Sequence, residues 1–345
     1  MKFKFIKIIN ILLVLVIVVL LSFTFKENIN SKENIEVTNL EFTNDKIRVK
    51  KGENVVLGVN ISSKDIEDIN DVDLVFSSKN ENIATVNERG ILSPKKTGKT
   101  TITVKTKNGK LKDVCEVIVL KEYLFFLGDS NWELIEGKRN GGDTKKPYEI
   151  NYRKYTKDKN LFFKAKSGAG LKWMSGEIPE YMEEHGYAMV GSGDNATNEM
   201  KDVINKHEEA YFKIIASMGT NDIKKAGSKE EVISYAKSYA EYYNNLANEL
   251  EDDKLYVYSV IPIGKKDKCE VYTEDDFKDN EHRNTKVELF NETIKKELND
   301  NVTYVDIYSY FNFLAKKKKI CFTKDGHWNK ELTQRVYDKI LETLE

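Results

Sequence analysis

The spacing of apolar and polar positions divides the chain into three stretches of different grain. Ile8 to Phe25 is an uninterrupted apolar-to-neutral run of 18 residues, preceded by Lys2, Lys4 and Lys7. As a helix it would reach ~27 Å at ~1.5 Å per residue, enough to cross a thin bilayer. The run is longer than the apolar core of a cleavable signal, and no A-x-A-like site follows it. An uncleaved signal anchor is therefore expected over residues 1–34, with a cleaved signal as the alternative. Lysines on the N-terminal side keep that end cytoplasmic and place everything after Lys26 outside, so a single-pass membrane protein is expected. Lys26 to Asn34 reads as a short polar stalk.

From residue 35 to 120 the grain becomes short alternating runs. Val55-Val56-Leu57-Gly58-Val59, Thr101-Ile102-Thr103-Val104 and Cys115-Glu116-Val117-Ile118-Val119 recur between turn clusters such as Lys51-Gly52-Glu53 and Lys107-Asn108-Gly109. That spacing predicts a small β-sandwich. From 121 to 345 strand-like and helix-like patterns alternate, which predicts a parallel sheet covered by helices on both faces, an α/β three-layer domain. Strands are expected at Tyr123–Leu127, Ala188–Val190, Phe212–Ser217, Leu255–Ile261 and Val302–Val305. Helices are expected at Lys229–Leu250, Thr285–Leu298 and Asn329–Leu344. In the first of these helices Val232, Tyr235, Ala236, Tyr239, Tyr242, Tyr243 and Leu246 recur at helical spacing, a packing face rather than a ligand platform.

Composition changes this picture little. The chain has 345 residues, 32% of them charged, with a net charge of −1. The mixture of signs gives no electrostatic footprint for nucleic acid. Lys316–Lys319 is the one basic run, read as a solvated helix end. Cys115, Cys269 and Cys321 form no C-x-x-C and have no histidine at metal spacing, so neither a zinc site nor a disulfide framework is expected. A Cys269–Cys321 bridge is compatible with an exported chain but has no positive support in the sequence.

The chemistry gathers around Tyr123-Leu124-Phe125-Phe126-Leu127-Gly128-Asp129-Ser130-Asn131. Five apolar residues in a row read as a strand buried on both faces, stopped by a glycine turn. A serine just beyond the carboxyl end of such a strand stands where open α/β sheets bind ligands. Taken alone, Ser130 reads as well as a helix cap. Three further stretches weigh on the choice: Lys166-Ser167-Gly168-Ala169-Gly170-Leu171, Met218-Gly219-Thr220-Asn221-Asp222, and Thr323-Lys324-Asp325-Gly326-His327-Trp328.

In order these supply GDS, a glycine-bearing turn, GTND and a C-terminal DGH, a set that resembles the SGNH (GDSL-type) hydrolase family over residues 121–345. The resemblance implies Ser130 as nucleophile, His327 as base and Asp325 as the acid that orients it. It also implies an oxyanion hole made by the Ser130 N–H, the Gly170 N–H (Gly168 is the rival) and the Asn221 side chain. One departure stands out: the family usually spaces acid and base as Asp-x-x-His, whereas only Gly326 separates Asp325 from His327. No G-x-S-x-G elbow occurs, which disfavours an ordinary α/β-hydrolase. Ser77–Gly90 and Gly98–Val104 resemble the bacterial Ig-like group 2 domain, which implies a spacer or wall-adhesion module at 35–120.

The other candidates carry less. Trp132, Trp173 and Trp328 all lie near motif residues and are expected, as readily as core, to line a substrate pocket. Asp129 is expected to fix the Ser130 turn, and Asp222 to cap or shape its loop. His185, His207 and His282 read as solvated surface. Together these readings predict a membrane-tethered esterase that uses no metal or other cofactor. It would hydrolyse O-acyl, chiefly O-acetyl, esters on a glycan or wall polymer through an acyl-Ser130 intermediate. An O-acetyltransferase with the same triad and an adhesion protein with a decayed hydrolase domain are the alternatives.

Overall fold

The computed structural model describes residues 37–63, 72–140, 144–153, 155–157, 159–188, 195–271 and 283–344. The expected signal anchor and stalk, His282 and the strand beyond Ala188 lie outside these. No helix among the described residues is long and apolar enough to cross a membrane. The chain divides into two compact units, Met1–Leu120 and Lys121–Glu345.

The described residues of the first unit are all β. Its strands are β1 (Val37–Phe42), β2 (Lys46–Lys50), β3 (Val55–Val56), β4 (Val59–Ser63), β5 (Leu74–Ser78), β6 (Ala84–Val86), β7 (Ile91–Pro94) and β8 (Gly98–Thr106), with β9 (Lys112–Gly128) completing it and opening the second unit. β5, β8 and β9 run antiparallel in turn, and β2 adds to β9 in parallel. β1 pairs with β4, and β3 and β6 flank β7. Along β8 buried and half-exposed positions alternate, which puts Ile102 and Val104 into one core with Leu40, Leu92 and Val117. Cys115 lies in that core as a free thiol, pushed up to about 11 chiefly by burial. A free, buried and neutral thiol of this kind is inert packing.

The second unit begins with α1 (Ser130–Glu136) and continues through β10 (Leu161–Ala165), α2 (Leu171–Ser175), α3 (Glu180–His185), α4 (Ala196–Asn205), β11 (Ala210–Ser217), α5 (Thr220–Ile223), α6 (Lys229–Asn248), β12 (Lys254–Tyr258), α7 (Arg283–Glu297), β13 (Val302–Val305), α8 (Tyr308–Lys316) and α9 (Lys330–Leu344). The strands stand in the order β10-β9-β11-β12-β13, every pair parallel. Successive side chains of β9 point to opposite faces. Tyr123, Phe125 and Leu127 enter the layer shared with α2, α4, α6 and α7. Leu124 and Phe126 enter the layer shared with α1, α8 and α9. The tyrosine stripe of α6 is buried against the sheet, with Tyr242 only half-covered. Ser228 caps that helix through the Glu231 N–H.

Several elements were not anticipated: the edge strand β10 and the helices α3, α4, α5 and α8. The cysteine expectation also needs correcting, because Cys269 and Cys321 form a disulfide. Their pairing is set by the hairpin at Gly264–Val271, which docks on the chain before His327. Asp267 N–H donates to Thr323 O at 2.9 Å and Phe322 N–H to Lys268 O at 3.1 Å. The Phe322 ring lies flat on Gly264, closer than any Cβ would allow.

Candidate active site

β9 is central to the parallel sheet, and the chain leaves it first toward β10 on one side and later toward β11 on the other. Its carboxyl end is thus the switch point where open α/β sheets leave a crevice. At that end Asp129 caps α1, its carboxylate accepting the Asn131 N–H at 2.9 Å. Ser130 is the first residue of α1, so its N–H has no partner within the helix.

His327 reaches Ser130 from the other end of the unit, with Nε2 2.9 Å from Oγ. The loop that carries it is closed by a Phe322–Trp328 bridge and by Thr323 N–H donating to His327 O at 2.9 Å. Gly326 N–H closes a turn on Thr323 O, and Gly326 itself has φ 82°, a left-handed conformation that glycine adopts without strain. This tight turn is how one intervening residue suffices: Asp325 Oδ2 comes to 3.1 Å from His327 Nδ1. The contact is not a directed hydrogen bond, since Nδ1 has no well-aimed acceptor, and it becomes an ion pair only when the imidazole is protonated. Such contacts are commonly loose before substrate binds.

Charge around the imidazole is mixed. Burial, followed by the Arg139 cation, holds His327 below the ordinary histidine value of 6.5, against the pull of Asp325 and Asp129. Burial works the other way on Asp325, but the Thr323 hydroxyl and His327 outweigh it and hold the carboxyl down at about 2. Asp129, enclosed at the foot of the site, is raised by burial, with the Asn131 N–H and Lys224 opposing.

Asn221 lies within α5: Nδ2 donates to Ala169 O at 2.9 Å, far from its own helix, while Oδ1 accepts from the neighbouring Lys224 at 3.4 Å. It is not a local cap. Its neighbour Asp222 is fully buried and accepts from Leu171 N–H at 2.8 Å, Ala188 N–H at 2.5 Å and the Tyr239 hydroxyl at 2.6 Å. Gly170 packs against this carboxylate so closely that a Cβ would stand 2.3 Å from Oδ2. Glycine is required there by space.

A cavity of about 90 Å³ opens over Ser130, lined among others by Trp132, Asn221, Lys224, Lys266, His327 and Trp328. The structure thus brings Ser130, His327, Asp325, Asn221, Trp132 and Trp328 together. Gly170 and Gly168 do not line the cavity, Gly170 facing Asp222 instead. Trp173 is a correction: α2 turns it into the sheet-face core, where it is fully buried among the residues around Met174 and Met200. His185 is exposed and stacks on Tyr181, whereas His207 is half-buried beside Tyr123 and Phe162 and bonds Glu209. Asp222 and Arg139 are the residues that motif reading undervalued. Among the described residues no group of acidic, histidine or cysteine side chains could hold a metal ion.

Residues 36–117 match the family model of the bacterial Ig-like domain (group 2), so the first unit is an Ig-like domain. No curated protein matches the chain. Among solved structures, domains 4 and 5 of the S-layer protein SbsC are 19% identical over 26% of this chain and 54% of theirs, with a TM-score of 0.22. The chain thus spans little more than half of that structure. A Streptococcus pneumonia protein provisionally titled a platelet activating factor is 16% identical, covering 66% of this chain and 86% of its own, with a TM-score of 0.39. Est24, a carbohydrate acetylesterase from Sinorhizobium meliloti, is 13% identical over 65% of this chain and all of its own, with a TM-score of 0.36. At these scores the solved structures carry no functional argument, and the chemistry rests on the site itself.

Proposed function

We propose that residues 121–345 form a serine esterase that removes short O-acyl groups, acetyl foremost, from a glycan or wall polymer. The observation that carries this reading is the 2.9 Å contact of His327 Nε2 with Ser130 Oγ at a cavity, with Asp325 behind the imidazole. As Ser130 Oγ attacks the ester carbonyl, its proton passes to His327 Nε2. The developing oxyanion is met by the Ser130 N–H and by the Asn221 N–H not bonded to Ala169. His327 then returns the proton to the departing alcohol, and a water activated by the same imidazole releases the acid from Ser130.

The cavity over Ser130 is small, about 90 Å³, which favours a short acyl group. Trp132 and Trp328 wall it. Gly170 serves this site by letting Asp222 approach the second-motif turn. The lysine-flanked apolar run and the Ig-like unit support outward display at the cell surface, where acylated polymers are found.

The test is covalent labelling of the full chain by a fluorophosphonate probe together with turnover of p-nitrophenyl acetate. Wild type should label at Ser130 and turn over, and Ser130→Ala should do neither. Full turnover by Ser130→Ala would sink the esterase reading. A glycan acceptor added to the same assay separates hydrolysis from transfer.

A further inference from the structure

The Asp325 side chain is 39% exposed, and the turn before His327 leaves its carboxylate free to rotate unless something holds it. Its two oxygens are fully accounted for. Oδ1 accepts from the Thr323 hydroxyl and, at 3.4 Å, from the His327 N–H. Oδ2 is shared, 3.1 Å from His327 Nδ1 and 3.3 Å from Arg139 Nη2. The other prong of the guanidinium donates to Ser167 Oγ, and Ser167 in turn donates to Glu133. Glu133 also stands 3.8 Å from Arg139 Nη1. Glu133 is in α1, one turn from Ser130; Ser167 is in the turn before Gly170; Asp325 is in the His327 loop. One side chain bridges all three segments of the site.

We propose that Arg139 is a positioning residue of this esterase, fixing the Asp325 carboxylate beside His327 while tying the nucleophile helix to the second-motif turn. The inference rests on the esterase reading above. A planar fork suits the task, because its prongs address two acceptors in fixed directions; an ammonium on a flexible stem does not reproduce that. The arrangement also compensates for the short Asp-Gly-His spacing. The turn brings the carboxylate within reach, and the guanidinium removes its remaining rotation.

A permanent cation at this place also opposes protonation of the imidazole. The charged groups that face His327 are Asp325 and Asp129, both negative, Arg139, and the Lys224 and Lys266 ammoniums that line the same cavity. Lys224 acts on Asp129, and Ser130 is neutral. Without Arg139 one cation is lost from this balance, so the imidazole should hold its proton to higher pH.

The test uses full-length Arg139→Lys and Arg139→Met, each assayed for kcat and KM against pH. In parallel the His327 imidazole is titrated by proton NMR and assigned with His327→Gln. Arg139→Lys keeps the charge and loses the fork, so kcat should fall about 10-fold with KM and titration near wild type. Arg139→Met should lose as much in kcat and move both the titration and the acid limb of the rate profile upward. Wild-type kcat in Arg139→Lys, or a lowered melting temperature in Arg139→Met with kcat and titration unmoved, overturns the proposal. If Arg139→Met does not fold, Arg139→Lys decides. Failure of wild type to hydrolyse any ester would overturn the esterase reading instead, and the substrate-free titration would still report on Arg139 separately.

Discussion

Tyr239 donates its hydroxyl to Asp222 Oδ2 at 2.6 Å, and neither residue is reached by solvent. The same carboxylate takes the N–H groups of Leu171 and Ala188, so the stripe of α6, the second-motif turn and the Asn221 helix meet on one buried acid. Asp222→Ala would leave three buried donors without an acceptor, at about 1–3 kcal/mol each before relaxation. The expected outcome is a loss of at least about 3 kcal/mol in urea unfolding, with kcat falling as the turn loosens. Tyr239→Phe removes one donor and leaves the acceptor satisfied, and should cost about 1 kcal/mol. Equal, small costs for the two variants would show that the carboxylate is not the organising group.

Asn221 offers a sharper kinetic test. Its long-range bond to Ala169 already excludes a purely local cap. Losing one oxyanion donor typically costs ~10²–10³ in kcat, equivalent to about 3–4 kcal/mol. Asn221→Ala should therefore lose at least about 10² in kcat with little change in KM. Asn221→Asp should lose more, since its carboxylate would face both the oxyanion and the Ala169 carbonyl. Steady-state kinetics on p-nitrophenyl acetate decides it: near-wild-type kcat in Asn221→Ala would make the residue structural.

The pH dependence follows from the two shifted groups. His327 must be neutral to accept the serine proton, and it is held below 6.5 chiefly by burial. The acid limb of kcat/KM should have its midpoint below 6.5, leaving full activity at neutrality. Stability carries its own signs. Because the folded imidazole holds its proton less tightly than the unfolded one, protonation of the unfolded chain erodes stability as pH falls from 6.5 toward the folded value. Asp325, depressed from 3.8 to about 2, contributes above 3.8 and loses that contribution as pH falls toward about 2. Paired kinetic and denaturation profiles check both, and a midpoint above 6.5 would contradict the burial argument.

Acyl length should matter steeply. A cavity of about 90 Å³, lined by Trp132 and Trp328 among others, favours a short acyl group over a long chain. Each misfit methylene is worth ~1–3 kcal/mol of discrimination. Across p-nitrophenyl esters, kcat/KM should fall at least about 10-fold from acetate to octanoate. A flat or rising series would mean that the acyl group lies elsewhere.

Much of this was legible from spacing alone. Tyr123–Leu127 reads as a strand buried on both sides, and alternate residues do enter opposite layers. Ser130, Asn221, Asp325 and His327 were named through the resemblance of their four ordered motifs to the SGNH family, since taken alone each stretch reads as well as a turn or a cap. β10 was not, because its second and third residues, Phe162 and Phe163, are only half-buried and it pairs on one side only. Nor was α8, whose Tyr-Ser-Tyr-Phe-Asn-Phe start reads like a strand, although Asp306 caps it by accepting the Ser309 N–H at 3.0 Å. Proximity in sequence put three tryptophans near the site, but the face a helical residue presents turns by ~100° per position, so only packing could send Trp173 inward. Arg139 and Asp222 act wholly through space, on residues too far along the chain for any local pattern to record.

The Cys269–Cys321 bond joins positions 52 residues apart and sits two residues ahead of Thr323, at the root of the loop that carries the general base. In a reducing compartment that root would still be held, among the described residues, by the hairpin's backbone contacts, the Lys318–Glu270 ion pair at 3.1 Å and the seat of Phe322 on Gly264. Disulfides persist where thiols are kept oxidised, as they are outside the cytoplasm. Under the proposed export, the bond would form only after the chain leaves the cytoplasm and would then steady the loop that carries His327. Dithiothreitol should lower turnover before the fold is lost, and turnover unchanged by reduction would show that the loop stands without the bond.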